Sequence, residues 1–250
     1  MKDKLLKKLI DSTLQKYIFF PLDFGFYKKP TSIINNIDSL IENLTENKIG
    51  SIMIHKGLLK TYQRKLNNSQ YPYFLHTTAS TGLYNTVKKV QISSVKEAKD
   101  LGAIGVSTLI YLGNPHELEM LKMLGKISEE ADRLGMLVYT MMYVADFIDS
   151  KFTEKLALDD IRYAARIAYE LGVDIVETRL PNDQTNLHRI KEICPIPLIL
   201  GDRSSYSNDE YVELIRDSVK KGYDGVSITN RSLKTAFDKL TKRTNEALRG

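Results

Sequence analysis

Short apolar runs alternate along this chain with longer stretches in which apolar residues return every three or four positions. The runs are Tyr17–Asp23, Ile49–Ile54, Tyr73–His76, Ile104–Ile110, Met136–Tyr143, Gly172–Arg179, Pro197–Leu200 and Gly225–Ile228. Each is short, continuous and bounded by turn residues, the signature of a buried strand. Between them, residues 36–47 place Ile37, Leu40, Ile41 and Leu44 at helical spacing, and Val95–Leu101 stops at Gly102. Pro115–Leu134 sets Leu118, Leu121, Leu124, Ile127, Ala131 and Leu134 along one predicted face before Gly135. Asp159–Leu171 repeats the pattern with Ile161, Ala164, Ala165, Ala168 and Leu171, ending at Gly172. Asp209–Lys221 ends at Gly222, and a last helix starts near Ser232. Glycine just past a helical pattern is a stop signal, because it adopts the left-handed cap without penalty. The opening residues, 1–16, are basic and amphipathic and predict one more helix ahead of the first strand.

Strands that alternate with helices favour a parallel sheet, and eight of them favour closure. The predicted fold is therefore α/β, a single (β/α)8 TIM barrel with an extra N-terminal helix packed on it. The 250 residues match one such domain, and no linker, repeat or low-complexity block divides 1–250. An open doubly wound sheet is the alternative. Against it, no glycine-rich dinucleotide fingerprint follows the first strand.

Charge and composition remove several function classes. The net charge is +5, but the lysines are scattered and not interleaved with stacking aromatics, which argues against nucleic acid. No run of about 18 apolar residues is present. The N-terminus lacks the apolar core and cleavage site of a secretory signal, so a cytoplasmic protein is expected; contact of the first helix with a membrane surface is the minor alternative. Cys194 stands alone, fits a reducing compartment, and reads as a small buried side chain. The four histidines are far apart in sequence, so no metal site is predicted, and no serine sits in a nucleophile elbow. No cofactor is implied.

Barrel enzymes keep their chemistry at the C-terminal ends of the strands. There the chain places Asp23, Lys56, His76, Tyr143, Glu177, Arg179, Asp202, Arg203, Asn230 and Arg231. Strand alternation puts Ile175, Glu177 and Arg179 on one face and Val176 and Thr178 on the other. Asp23 closes an apolar run and is a candidate for catalysis. Tyr143 reads equally as a proton donor or as a core tyrosine with a satisfied hydroxyl. His76 reads as a ligand contact or a hydrogen-bonded structural histidine. The loops after the seventh and eighth strands, Gly201-Asp202-Arg203-Ser204-Ser205 and Thr229-Asn230-Arg231-Ser232, each offer an arginine and small polar neighbours that could hold an anion. Ordinary barrel loops would look the same.

Several segments carry a family likeness: Pro21-Leu22-Asp23-Phe24-Gly25, His55-Lys56-Gly57, His76-Thr77-Thr78-Ala79-Ser80-Thr81 and Val95 through Val106. Gly113 to Met120, Gly135 through Tyr143 and Ala164 through Val176 extend it. On these residues the chain resembles the DhnA-type class I aldolases of the DeoC/LacD-like barrel group, over roughly residues 18 to 235. The resemblance implies an aldolase-like carbon–carbon lyase acting on a small, possibly phosphorylated, carbonyl or sugar compound, and a homo-oligomer. It also implies catalytic roles for Asp23 and Tyr143; Lys56, His76, Arg179, Arg203 and Arg231, read from the strand ends, are the substrate-binding candidates.

In that family a lysine ending the sixth strand forms an imine with the substrate ketone; here the matching position is Glu177. The family's Asp-His-Gly histidine is matched by Phe24, the paired glycines after strand seven by Gly201-Asp202, and the Gly-Arg-Asn after strand eight by Thr229-Asn230-Arg231. A protonated imine is an electron sink for the carbanion left by bond cleavage, and a carboxylate cannot form one. Three readings follow. The first is a barrel enzyme using Glu177 as general base, as an isomerase, epimerase, dehydratase or unusual lyase. The second is an aldolase whose imine forms on another lysine, with Lys56 the nearest substitute. The third is a catalytically inactive barrel that binds a metabolite or a partner subunit.

Overall fold

The computed structural model describes residues 2–10, 15–26, 37–47, 50–83, 86–148, 151–201, 219–220 and 222–228. In chain order these form α1 (Lys2–Leu9), β1 (Tyr17–Leu22), α2 (Ile37–Asn47), β2 (Ser51–Ile54), α3 (Lys56–Asn68) and β3 (Tyr73–His76). There follow β4 (Thr78–Ala79), β5 (Val90–Gln91), α4 (Val95–Asp100), β6 (Gly105–Leu112), α5 (Glu117–Leu134), β7 (Leu137–Ile148) and β8 (Lys151–Glu154). The last are α6 (Leu158–Glu170), β9 (Ile175–Thr178), α7 (His188–Lys191), β10 (Leu198–Gly201) and β11 (Gly225–Ser227).

Eight strands pair in parallel in the order β1-β2-β3-β6-β7-β9-β10-β11, and β11 returns to β1, closing the barrel. The closed (β/α)8 expectation holds. Each apolar run became one barrel strand because a parallel strand is buried on both faces and needs apolar or small residues at every position. Two antiparallel additions were not foreseen: β8 folds back on β7, and β4 pairs with β5.

Alternation along the strands divides the core in two. Ile18, Phe20, Ile52, Ile54, Val106, Val138 and Val176 face outward and pack under the helices. Phe19, Met53, Phe74, Leu109, Leu137, Tyr139, Met141, Ile175 and Ile199 face inward and fill the barrel. Phe19 meets the Phe74 and Tyr139 rings edge-on, at centroid distances of 6.1 and 4.7 Å.

Helix α1 belongs to the inner cluster. Its Leu9 is buried among those side chains, with Leu5 and Leu6 packed beside it. Lys2 ties the helix down through Asp132 and Asp174, the latter at 2.9 Å. Asp174 in turn accepts the Val138 N–H at 2.7 Å, where β7 begins. The amphipathic N-terminal segment therefore seals the end of the barrel opposite the strand C-termini.

The predicted face of α5 needs one correction. Its buried stripe runs through Met120, Leu124, Ile127 and Ala131, while Leu118 is 77% exposed. Leu118 lies two residues, about 200° of helical rotation, from Met120 and so points away from the barrel. Helix α3 was not read in the sequence at all. The predicted helices at Asp209–Lys221 and from Ser232 fall almost wholly outside the described residues.

Candidate active site

Strand β9 carries Glu177 on its inner face, in register with Met141 of β7 and Ile199 of β10. The residue is 2% exposed. A bare carboxylate there would lose its hydration without compensation, so its lone pairs must be met by protein. The Tyr139 hydroxyl donates to Oε2 at 2.5 Å, the Tyr143 hydroxyl donates to Oε1, and Ser227 of β11 adds a further hydrogen bond that favours the charged form. Tyr139 and Tyr143 sit four residues apart on β7, two positions along the same face, which is why both reach one carboxylate.

The remaining wall is Gly201 on β10. A Cβ at that position would lie 2.5 Å from the Glu177 Oε1, so the absent side chain makes the carboxylate's room. Burial pushes the Glu177 pKa above the ordinary value, opposed by the tyrosine hydrogen bonds and the Arg179 charge. Burial likewise drives the Tyr139 and Tyr143 hydroxyls well above the ordinary phenol value. Arg179 stacks its guanidinium 4.0 Å from the centre of the Tyr143 ring.

Across the barrel, a second polar group gathers on β1, β2 and β3. Asp23, just past β1, faces the His76 Nε2 at 3.5 Å. His76 is 0% exposed, with Nδ1 2.8 Å from the Ser107 hydroxyl and Nε2 3.5 Å from Thr78 Oγ1. His55 lies against it, ring centroids 5.0 Å apart, its Nδ1 3.3 Å from the His76 carbonyl. Burial lowers His76 to about 3 and His55 to about 4, so both rings are neutral at pH 7. The His76–Asp23 approach is thus a neutral ring beside a carboxylate rather than an ion pair.

Lys89 joins the two groups. It is 6% exposed, its ammonium donates to the Ser80 hydroxyl, and it stands 5.4 Å from the centre of the Tyr111 ring. Burial lowers its pKa to about 8, with the Asp23 charge opposing. Tyr111 lies 5.9 Å, ring to ring, from Tyr143. Lys89, within the field of Asp23, is thus linked through the Tyr111 and Tyr143 rings to Glu177.

Of the residues singled out from sequence, the structure brings Tyr143, Glu177 and Arg179 into one cluster and Asp23 and His76 into another. Lys56 goes elsewhere. It opens α3 with its side chain 42% exposed, its ammonium 2.9 Å from the Ile92 carbonyl and 3.5 Å from Glu97 on the helical layer. The inward position on that segment belongs to His55, in phase with Ser51 and Met53. Arg203 and Arg231 lie outside the described residues. Tyr139, Ser227, His55, Tyr111 and Lys89 were not singled out from sequence. The first four share strand parity with chosen or core residues and could have been found by counting in twos. Lys89 precedes a two-residue strand in an irregular stretch, and no periodicity marks it. Among the described residues no cluster of His, Cys, Asp and Glu could hold a metal ion, and no helix is long and apolar enough to cross a membrane.

The closed eight-stranded barrel, with carboxylates and tyrosines gathered inside it, belongs to the DeoC/LacD family aldolases, whose sequence model matches residues 17–234. Over 211 residues it is 31% identical to the 2-amino-3,7-dideoxy-D-threo-hept-6-ulosonate synthase 1 of Archaeoglobus fulgidus, covering 84% of this chain and 76% of that one. An archaeal fructose 1,6-bisphosphate aldolase shares the fold with a TM-score of 0.81 at 23% identity, over 98% of this chain and 99% of its own. Another structure of an archaeal fructose-1,6-bisphosphate aldolase, with its catalytic lysine covalently bound to the carbinolamine intermediate of the substrate, has a TM-score of 0.80 at 23% identity, covering 98% and 100%.

Proposed function

We propose that this chain is an aldolase-type carbon–carbon lyase for a small phosphorylated carbonyl compound, in which Glu177 and Tyr143 move protons and position 177 forms no imine. The observation that carries this reading is the Glu177 carboxylate, buried inside the barrel and held by the Tyr139 and Tyr143 hydroxyls. A carboxylate raised in pKa by burial and wired to a phenol suits general acid–base work. Cleaving a bond β to a carbonyl requires removal of a hydroxyl proton, which Tyr143 can accept while Glu177 takes the phenol's own proton. The carbonyl character of the substrate is supported by family membership, and its phosphate by the names of the relatives, a bisphosphate aldolase among them. Arg179, half-buried beside Tyr143, is the described cation placed to meet an anionic group; Arg203 and Arg231 are proposed to add to it.

The test is turnover and binding with fructose 1,6-bisphosphate and related sugar phosphates, comparing wild type with Glu177→Gln. General acid–base catalysis is worth about 10²–10⁴-fold, and a loss of that size at unchanged binding is expected. Equal turnover in the two proteins would remove Glu177 from the chemistry. Solvent deuterium entering the substrate without bond cleavage would favour an isomerase built on the same proton network.

A further inference from the structure

If position 177 supplies no amine, the electrons released by bond cleavage need another acceptor. The hairpin β4–β5 lies over the end of β3 and the middle of β6, held by the Thr77 N–H to the Ser107 carbonyl at 2.9 Å and the Leu109 N–H to Thr78 Oγ1 at 2.9 Å. Lys89 sits immediately before β5, and its own N–H is directed to the Met120 sulfur at 3.4 Å. The residue is thus fixed to the barrel at its backbone, and its side chain turns inward to Ser80, Tyr111 and Asp23. We infer that Lys89 is the amine of this site: it condenses with the substrate carbonyl and takes the place of the lysine that β9 lacks. This rests on the carbonyl-lyase reading above and names the group that reading leaves open.

The contrast with Lys56 carries the choice. The Lys56 ammonium is met by a carbonyl and by Glu97 on the helical layer. Lys89 is enclosed near the phenols, and the groups facing it are Asp23 beyond β1, His76 at the end of β3, Tyr111 on β6 and the Ser80 hydroxyl. Its lowered pKa, about 8, follows from that enclosure. At pH 7 about a tenth of such an amine is unprotonated, against well under a thousandth for an ordinary lysine.

The steps balance without an oxidant or reductant. The neutral Lys89 amine attacks the carbonyl carbon, forming a C–N bond as the carbonyl oxygen takes up a proton. The carbinolamine loses water to give a protonated imine. Deprotonation of the β-hydroxyl through Tyr143 and Glu177 breaks the Cα–Cβ bond, releasing an aldehyde, and the electron pair enters the imine to leave an enamine. Protonation of the enamine carbon and addition of water regenerate the amine and release the second product.

The decisive experiment is reductive trapping of the full chain with dihydroxyacetone phosphate and cyanoborohydride, mapped by peptide mass spectrometry, with calorimetry of the same compound alongside. The expected result is one dominant adduct on Lys89, at least tenfold above Lys56, and lost in both Lys89→Arg and Lys89→Met. Circular dichroism establishes that each variant is folded. A second arm methylates the protein with formaldehyde and cyanoborohydride across pH; Lys89 should react with a midpoint of about 8. Binding of dihydroxyacetone phosphate without an adduct on Lys89, or with the adduct on Lys56, overturns this inference and leaves the lyase reading standing. Absence of binding sinks the carbonyl-site reading and this inference together. A Lys89 methylation midpoint equal to that of the surface lysines makes the residue a structural partner of Asp23 and overturns the nucleophile alone.

Discussion

The two polar groups inside the barrel solve the same problem by different means. On the side formed by β7, β9, β10 and β11, a carboxylate is buried among hydroxyls, with Arg179 stacked on one of them. On the side formed by β1, β2 and β3, a carboxylate faces a neutral imidazole and a buried lysine. Hydroxyls hold a negative charge by hydrogen bonds alone and keep their protons over a wide pH range. Imidazoles and an amine hold theirs only within limits set by burial. The first arrangement is matched to one charge at one place, whereas the second responds to solution conditions. A buried carboxylate therefore says little about chemistry until its donors are known.

Glu177→Lys presses hardest on this contrast. It restores the amine of the family's lysine at the cost of placing a cation among groups arranged for an anion, beside Arg179 and the Gly201 backbone. Breaking such a buried arrangement costs about 3–5 kcal/mol, to be read from urea unfolding. A stability within about 1 kcal/mol of wild type would show that the hydroxyls are indifferent to charge.

Acid should then separate the two groups. His55 and His76 have folded pKa values of about 4 and about 3, below the ordinary value of 6.5, so the unfolded chain binds more protons between those limits. Stability must fall as the pH drops from 6.5 towards 3, by on the order of a few kcal/mol. His76→Gln should flatten this part of the profile in thermal melts. An unchanged slope in the variant would mean that other groups govern acid unfolding.

A smaller effect belongs to Gly201→Ala. The added methyl would press on the Glu177 carboxylate, and overpacking of this kind costs about 1–3 kcal/mol. The loss should be relieved in the double variant with Glu177→Ala, measured as a thermodynamic cycle; additive losses would mean that the two residues do not touch in solution. Smallest of all is Lys56→Ala, which removes a partly exposed ion pair and should change stability by less than about 1 kcal/mol. Its effect on trapping should be nil, and a large one would return Lys56 to the site.

What could be read beforehand follows from how each element is buried. The eight strands announced themselves because both of their faces are covered, and the inward turn of Glu177 followed from alternation with Ile175. Helix α3 passed unnoticed because it buries only Leu59 and Leu66 within a polar stretch. Lys56 does not continue the inward face: the strand ends at Ile54, and the inward count continues to His55 and not to the helical residue after it. Lys89 is positioned by a hairpin whose strands have two residues each, too short to impose a period. Its nearness to distant Asp23 and Tyr111 is something no local pattern records.

Helix α1 sets Leu9 beneath a barrel interior that its own side chains already fill, so no passage runs through the barrel. Whatever reaches the strand C-termini must leave by the opening through which it entered. Under the proposed lyase chemistry the two fragments would share that opening, and the one joined to Lys89 would leave second. That order would be a property of the packed interior, with α1 held beneath it by a lysine and two aspartates.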